Sequence, residues 1–218
     1  MSPRWTVLIA TLGRRQQALS HLLDVLLPQV DRMSGQVTVE ALWNNGERSQ
    51  GCVRQDLLEH STAGYVCFVD DDDMIPGDYV EKIFPLLDGV DYVGFKVDVL
   101  HHGVPETHGI AIHSLENRRW YEKDGYLYRD VSHLNPVKRE LAMKVPFPDM
   151  HFREDYFWVR ELREHVHTQN FLDEVMYFYT PAGESHEDGH PPPDNKSYAR
   201  LLVGSPNFHW NPSSSQEV

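Results

Sequence analysis

The apolar positions of the chain fall into short unbroken runs separated by longer amphipathic stretches, the pattern of alternating strands and helices. Residues 5–10, Trp-Thr-Val-Leu-Ile-Ala, and 37–43, Val-Thr-Val-Glu-Ala-Leu-Trp, are rich in β-branched and aliphatic side chains and predict strands. Residues 65–69, Tyr-Val-Cys-Phe-Val, predict a third strand, buried on both faces because no polar residue alternates with the apolar ones. Between the first two, Leu19, Leu22, Leu23, Leu26 and Leu27 recur at helical spacing and predict a helix over 16–30. A second helix is expected over 52–60. Strand, helix, strand, helix, strand implies right-handed crossovers and parallel strands, so the fold class is α/β. All three strands then end at one edge, bringing Thr11 and Arg14, Asn44 and Asn45, and Asp70 to Asp73 together.

The pattern changes after the third strand. Pro76-Gly77 breaks the chain, and Asp78 with Glu81 reads as a capping box for the next helix. Residues 91–99 alternate as a strand, and His101-His102-Gly103 can turn the chain back. Lys123-Asp124-Gly125 between Trp120-Tyr121-Glu122 and Tyr126-Leu127-Tyr128 predicts a hairpin. This half is expected to be antiparallel and loop-rich. Asn135-Pro136 reads as the cap and first position of a short helix, which Pro146-Phe147-Pro148 ends. A further helix is expected from Phe152 to about Val166, with Asp155, Val159, Leu162 and Val166 on its inner face and Glu154 turned away. A last strand over 171–180, a Gly/Pro/His-rich loop over 181–195 and a loose tail complete the reading.

The chemistry concentrates in Asp70-Asp71-Asp72-Asp73, directly after the third strand. Open α/β sheets keep their ligand crevice at the strands' C-terminal ends. Four adjacent carboxylates repel one another unless a cation neutralises them. Alternate residues of an extended segment point the same way, so Asp70 and Asp72 can share one target. Hard oxygen ligands suit Mg²⁺ or Mn²⁺, either of which can bridge to a diphosphate. The plainer alternative is a turn or a helix cap, but the next helix has its own start signal at Asp78. For Arg14, Asn44 and Asn45 the alternatives are a solvated helix-start residue and two loop formers.

Length and charge narrow the setting. The 218 residues suit one sizeable domain, and the net charge of −13 opposes broad binding to nucleic acid or anionic membrane, though a modified nucleic acid as partner stays open. No stretch is long and apolar enough to span a bilayer, and the start of the chain does not read as a signal peptide. Cys52 and Cys67 are the two cysteines, and Cys67 falls in a buried strand, so a reduced, cytoplasmic chain is the simpler expectation. Of thirteen histidines, His101, His102, His108 and His113 read as surface or hairpin residues. His186 and His190 sit in the 181–195 loop with Glu187 and Asp188 and are better candidates for a metal. Trp120 and Tyr121 beside Arg118-Arg119 can either stack a sugar or base, or fill core.

Taken together these residues resemble the GT-A glycosyltransferases, most closely family 2. The first strand with Thr11-Leu12-Gly13-Arg14 is similar to the family's opening. Residues 64–76 resemble its strand and metal motif, Glu154-Asp155 at a helix start its acceptor-side acid pair, and His186 a late metal-binding histidine. The likeness covers roughly residues 5–190. Asn44-Asn45 departs from it, since many members carry acids there and one contacts uracil; an Asn amide can still read a base edge. The resemblance implies a GT-A domain over 1–203, with a donor half to about residue 100, an acceptor half beyond it, and a flexible tail over 204–218. It implies an inverting hexosyltransferase that uses Mn²⁺ or Mg²⁺, a nucleotide-diphosphate sugar (a UDP-sugar favoured) and an acceptor with a free hydroxyl. It places Asp155 as the base. Thr11, Gly13, Arg14, Asn44, Asn45, Arg54, Asp70 and Asp71 would bind donor, and Asp72, Asp73 and His186 the metal. A nucleotidyltransferase on a similar fold, or a metal-dependent carbohydrate-binding module, are the other readings. The loop over 181–195 is expected to close over the donor diphosphate as a lid.

Overall fold

The computed structural model describes residues 4–99, 109–179 and 200–203. The loop over 181–195 with His186 and His190, the tail over 204–218, and His101, His102 and His108 lie outside the described residues.

Strand β1 (Trp5–Leu12) is buried along seven of its eight residues and lies between β2 (Val37–Asn44) and β3 (Tyr65–Phe68), both parallel to it. The crossover helices α1 (Gln16–Asp31) and α2 (Gln50–His60) cover opposite faces. Alternate strand residues serve the two layers. Val7, Ile9 and Val39 meet Leu19, Leu22 and Leu26 of α1, whereas Leu8, Ala10 and Val66 meet Leu57 and Leu58 of α2. This double cover is why the strands read as unbroken apolar runs.

In chain order there follow α3 (Tyr79–Ile83), β4 (Tyr92–Val99), β5 (Gly109–His113), β6 (Tyr121–Lys123), β7 (Tyr126–Arg129), β8 (Val137–Lys138) and α4 (Arg139–Ala142). Helix α5 (Glu154–Leu162), β9 (Gln169–Tyr179) and β10 (Arg200–Val203) complete the described elements. One ten-stranded mixed sheet runs β10-β2-β1-β3-β8-β4-β5-β7-β6, with β9 on β4. The Asp-Gly hairpin forms as expected, Asp124 and Gly125 both taking the positive φ that its tight turn needs. The second half is mixed rather than antiparallel: β5 pairs β7 and β4 pairs β9 in parallel.

Three local readings are corrected. Asn135 caps no helix: it is fully buried, its Nδ2 donates to the Val93 carbonyl (3.0 Å) and its Oδ1 meets His113 Nδ1 (2.8 Å). His113 is therefore a core residue and not a surface one. The buried Val93 carbonyl needed a donor, and that outweighed the local capping preference. Asp78 makes no cap bond, but pairs with Lys82 at 2.9 Å. The buried first-turn N–H of Val80, which has no partner within its own helix, is met instead by Gln29 Oε1 of α1 at 2.9 Å.

Gly51 fixes the approach to α5. A Cβ there would lie 1.8 Å from the Pro148 carbonyl oxygen and 3.3 Å from Glu154 Cβ. Its N–H also donates to the Met150 carbonyl at 3.0 Å. A bare backbone at this point lets the 148–154 segment press onto α2 and delivers the start of α5 to the strand ends.

Candidate active site

The C-terminal ends of β1, β2 and β3 meet at one edge, and Val69 N–H still bonds the Leu8 carbonyl (3.0 Å) before the acidic run departs. Each of the four carboxylates then meets a side chain from another element, and Arg15 serves two of them. Asp70 Oδ1 accepts from Arg54 Nη2 at 2.8 Å, and its Oδ2 lies 3.6 Å from His133 Nε2. Asp71 is buried and accepts from Thr11 Oγ1 (2.6 Å) and Arg15 Nη1 (2.7 Å). Asp72 lies 3.3 Å from Arg15 Nη2. Asp73 accepts from the Tyr177 hydroxyl at 2.7 Å, and that hydroxyl in turn accepts the Asp70 N–H at 3.0 Å.

Guanidinium groups thus supply much of the neutralisation expected from a metal. Burial pushes the Asp70 carboxyl up, but Arg54, His133 and Arg15 outweigh it and hold the group far below the usual carboxylate range. Burial also pushes Asp71 up, and there it prevails over Arg15 and Thr11. Asp70 turns to Arg54 and His133, and Asp72 to Arg15. Among the described residues no group of three or more His, Cys, Asp or Glu is placed to hold a metal. An ion that takes one or two carboxylates and completes its shell from phosphate and water needs no such cage. The part-exposed Asp70 and Asp72 suit that kind of ion. His186 lies outside the described residues.

The acid pair at α5 is inverted relative to its expected orientation. Glu154 is only 4% exposed, and its Oε1 lies 3.5 Å from Arg54 Nε. Burial raises its carboxyl and Arg54 opposes the rise. Asp155 is half-exposed, with Oδ2 3.4 Å from His133 Nδ1. The cause is Trp158, which stacks on Phe147 (centroids 4.4 Å) and donates from Nε1 to the Val145 carbonyl (2.9 Å). Burying that indole sets the helix phase, and Glu154, four residues earlier, follows it inward. One imidazole, His133, consequently lies between Asp155 and Asp70.

Thr11, Arg54, Asp70, Asp71, Asp72 and Asp73 come together as the sequence implies. Arg14 does not: it is exposed, and Arg15 makes the contacts to the acidic run. Asn44 is buried in its own loop, donating to the Arg48 carbonyl (2.6 Å) and accepting from Gly46 and Arg48 N–H (3.2 and 3.3 Å). The loop-former alternative describes its side chain. Asn45 Oδ1 accepts from Trp43 Nε1 at 3.1 Å, and a Cβ on Gly13 would lie 2.7 Å from both atoms. Gly13 is therefore what lets the β1 and β2 loops close on each other.

Sequence reasoning missed Arg15, His133 and Tyr177, and it turned Glu154 outward. Arg15 follows Arg14 directly in the sequence, and only the helix phase separates them. Tyr177 was simply one aromatic of a strand. His133 is a single histidine in a turn, and nothing local shows that its carbonyl accepts from Phe68 N–H (2.9 Å) and so pins it beside Asp70.

No protein-family model and no curated protein sequence matches the chain. Solved structures do. The chain is similar to S. aureus TarS 1-349 in complex with UDP-GlcNAc, at 16% identity and a TM-score of 0.61, over 85% of this chain and 60% of that one. It is similar to glucosyl-3-phosphoglycerate synthase from Mycobacterium tuberculosis in complex with Mn²⁺, UDP-glucose and phosphoglyceric acid, at 16% identity and 0.52, over 83% and 73%. It is also similar to a mannosyltransferase from Pyrobaculum calidifontis with GDP-Man and Mn²⁺, at 17% identity and 0.50, over 82% and 57%. The chain thus has the GT-A fold of nucleotide-sugar glycosyltransferases, and it spans about 60% of the length of the TarS 1-349 structure. Among the described residues no helix is long and apolar enough to cross a membrane.

Proposed function

We propose that this GT-A chain is an inverting, divalent-metal-dependent glycosyltransferase that moves a hexose from a UDP-sugar to an acceptor hydroxyl. The observation that carries the reading is the line Asp155–His133–Asp70, which joins the acid of α5 to the acidic run at the strand ends. An acid on the acceptor side and a carboxylate cluster on the diphosphate side are the two parts that direct displacement needs. Asp155 takes the acceptor proton as the hydroxyl oxygen bonds to the anomeric carbon. The bond from that carbon to the diphosphate oxygen breaks, and UDP departs with the electron pair. His133 positions Asp155. Arg54 keeps a buried Nη1–H with no acceptor among the described residues, a donor suited to a diphosphate oxygen. Thr11 and Arg15 fix Asp71 and so shape the floor.

A bound Mn²⁺ or Mg²⁺ would neutralise charge on the leaving diphosphate as a Lewis acid. Asp72, with Asp70 beside it, would hold that ion, with Asp73 in support; His186 is the proposed nitrogen ligand. The neighbours crystallised with Mn²⁺ and with uridine nucleotides support the choice of ion and donor. Two free thiols, one of them buried, favour a reducing compartment and support a cytoplasmic setting. The test is UDP release from UDP-glucose and UDP-GlcNAc. Release with Mn²⁺ that stops in EDTA is expected; no binding and no cleavage of any nucleotide sugar would overturn the proposal.

A further inference from the structure

A cavity of about 340 Å³ lies between α5 and the segment that joins β5 to β6. Arg118, Arg119 and Trp120, in the segment between β5 and β6, form one wall, and Tyr156 and Arg160 of α5 the other, with Asp130 between them. Trp120 is 48% exposed, so of its two expected roles it does not take the core one. Its indole is held from three sides. Nε1 donates to Asp130 Oδ1 at 2.9 Å, Arg129 lies over its face at 4.6 Å, and Tyr156 meets it edge-on at 5.8 Å. Arg160 in turn sits over Tyr156 at 5.6 Å. Aromatic contacts of this kind restrain a guanidinium without neutralising it.

The electrostatics of this cavity run against the rest of the chain. The net charge is −13, yet the lining carries three arginines and one carboxylate. That carboxylate is engaged by Trp120 and by the charge of Arg129. Among the described residues no Asp or Glu pairs with Arg118, Arg119 or Arg160. Arg118 also holds a left-handed backbone (φ 48°), a conformation that costs an L-residue roughly 1 kcal/mol and that glycine would adopt freely. Guanidinium forks left open around a walled cavity suit planar or tetrahedral oxyanions. Val159 also lines the cavity, and Asp155 lies one helical turn before it on the same face.

We infer that this cavity is the acceptor subsite and that the acceptor is an anionic sugar, its phosphate or carboxylate held by Arg118, Arg119 and Arg160 and its ring against Trp120 and Tyr156. This deepens the transferase reading, on which the term acceptor rests. Anchoring the anion there would leave a hydroxyl of the same molecule to face Asp155.

Calorimetric titration of the full chain with glucose 6-phosphate, glucuronate and glucose tests it. At least one anionic sugar should bind at ~10 mM or below while glucose does not, and the two anions separate phosphate from carboxylate recognition. Arg160→Gln should weaken that binding by ~10-fold or more, the scale of a lost charge-assisted bond, and Arg160→Lys by less. Melting temperatures of both variants check that they fold. Absence of binding by both anions, equal binding of glucose, or unchanged affinity in both Arg160→Gln and Arg119→Gln would each overturn the inference. UDP is titrated into the same protein. Anion binding without UDP binding removes the transferase reading and keeps the anion site, and the converse does the reverse.

Discussion

Arg54 Nη2 donates to Asp70 at 2.8 Å while its Nε lies 3.5 Å from Glu154, so one buried guanidinium ties the central strand's end to the first turn of α5. Removing it would strand two carboxylates in a poorly hydrated site. Arg54→Met is expected to cost about 3–5 kcal/mol, the range for breaking a buried charge pair from one side. Urea titration of both proteins at pH 7 reads it. A midpoint shift worth less than about 1 kcal/mol would mean that water or a rearranged side chain already serves Asp70 and Glu154.

Asp155→Asn is expected to lower sugar transfer by ~10²-fold or more with UDP affinity unchanged, since it removes proton acceptance and leaves the strand-end groups in place. His133→Gln should lower transfer less and alter its pH profile, because His133 acts through Asp155. Loss of UDP binding in Asp155→Asn would assign that carboxylate to the donor instead.

Asp72→Asn should abolish Mn²⁺-stimulated UDP release. It should also remove the rise in melting temperature that Mn²⁺ plus UDP gives the parent protein, since a ligand bound only by the folded state stabilises by mass action. The melting temperature without ligands should move little, because Asp72 is part-exposed beside Arg15. Full activity in excess EDTA would remove the metal from the mechanism.

His113 gives a pH dependence of stability. Burial holds its imidazole down to about 4, below the ordinary 6.5. Between those values the unfolded chain takes up a proton that the folded chain refuses, so stability falls as pH drops from 6.5 toward 4. Each unit of separation is worth about 1.4 kcal/mol, so the loss attributable to this group reaches up to ~3 kcal/mol. His113→Asn should be less stable at pH 7 and show a flatter dependence over that window. Parallel curves for the two proteins would assign the pH effect elsewhere.

The sequence by itself determined the first half of the fold. Strands buried on both faces show as unbroken apolar runs, and a helix packed along one stripe shows as leucines at helical spacing, so β1, α1, β2 and β3 could be read directly. Parallel order then placed Thr11, Asn44 and Asp70 at one edge, because right-handed crossovers leave few alternatives. Tertiary structure decided what local pattern could not carry. Trp158 fixed the phase of α5 and exchanged Glu154 for Asp155 at the buried position. The Val93 carbonyl claimed Asn135 from its expected cap, and one residue of helix phase gave the acidic run to Arg15 rather than Arg14. His133 reached Asp70 through a backbone bond across 65 residues of sequence. Periodicity reports which side of an element faces apolar matter, over a few residues at a time. Which buried polar group finds which partner depends on contacts between distant segments, and those are settled only when the chain has packed.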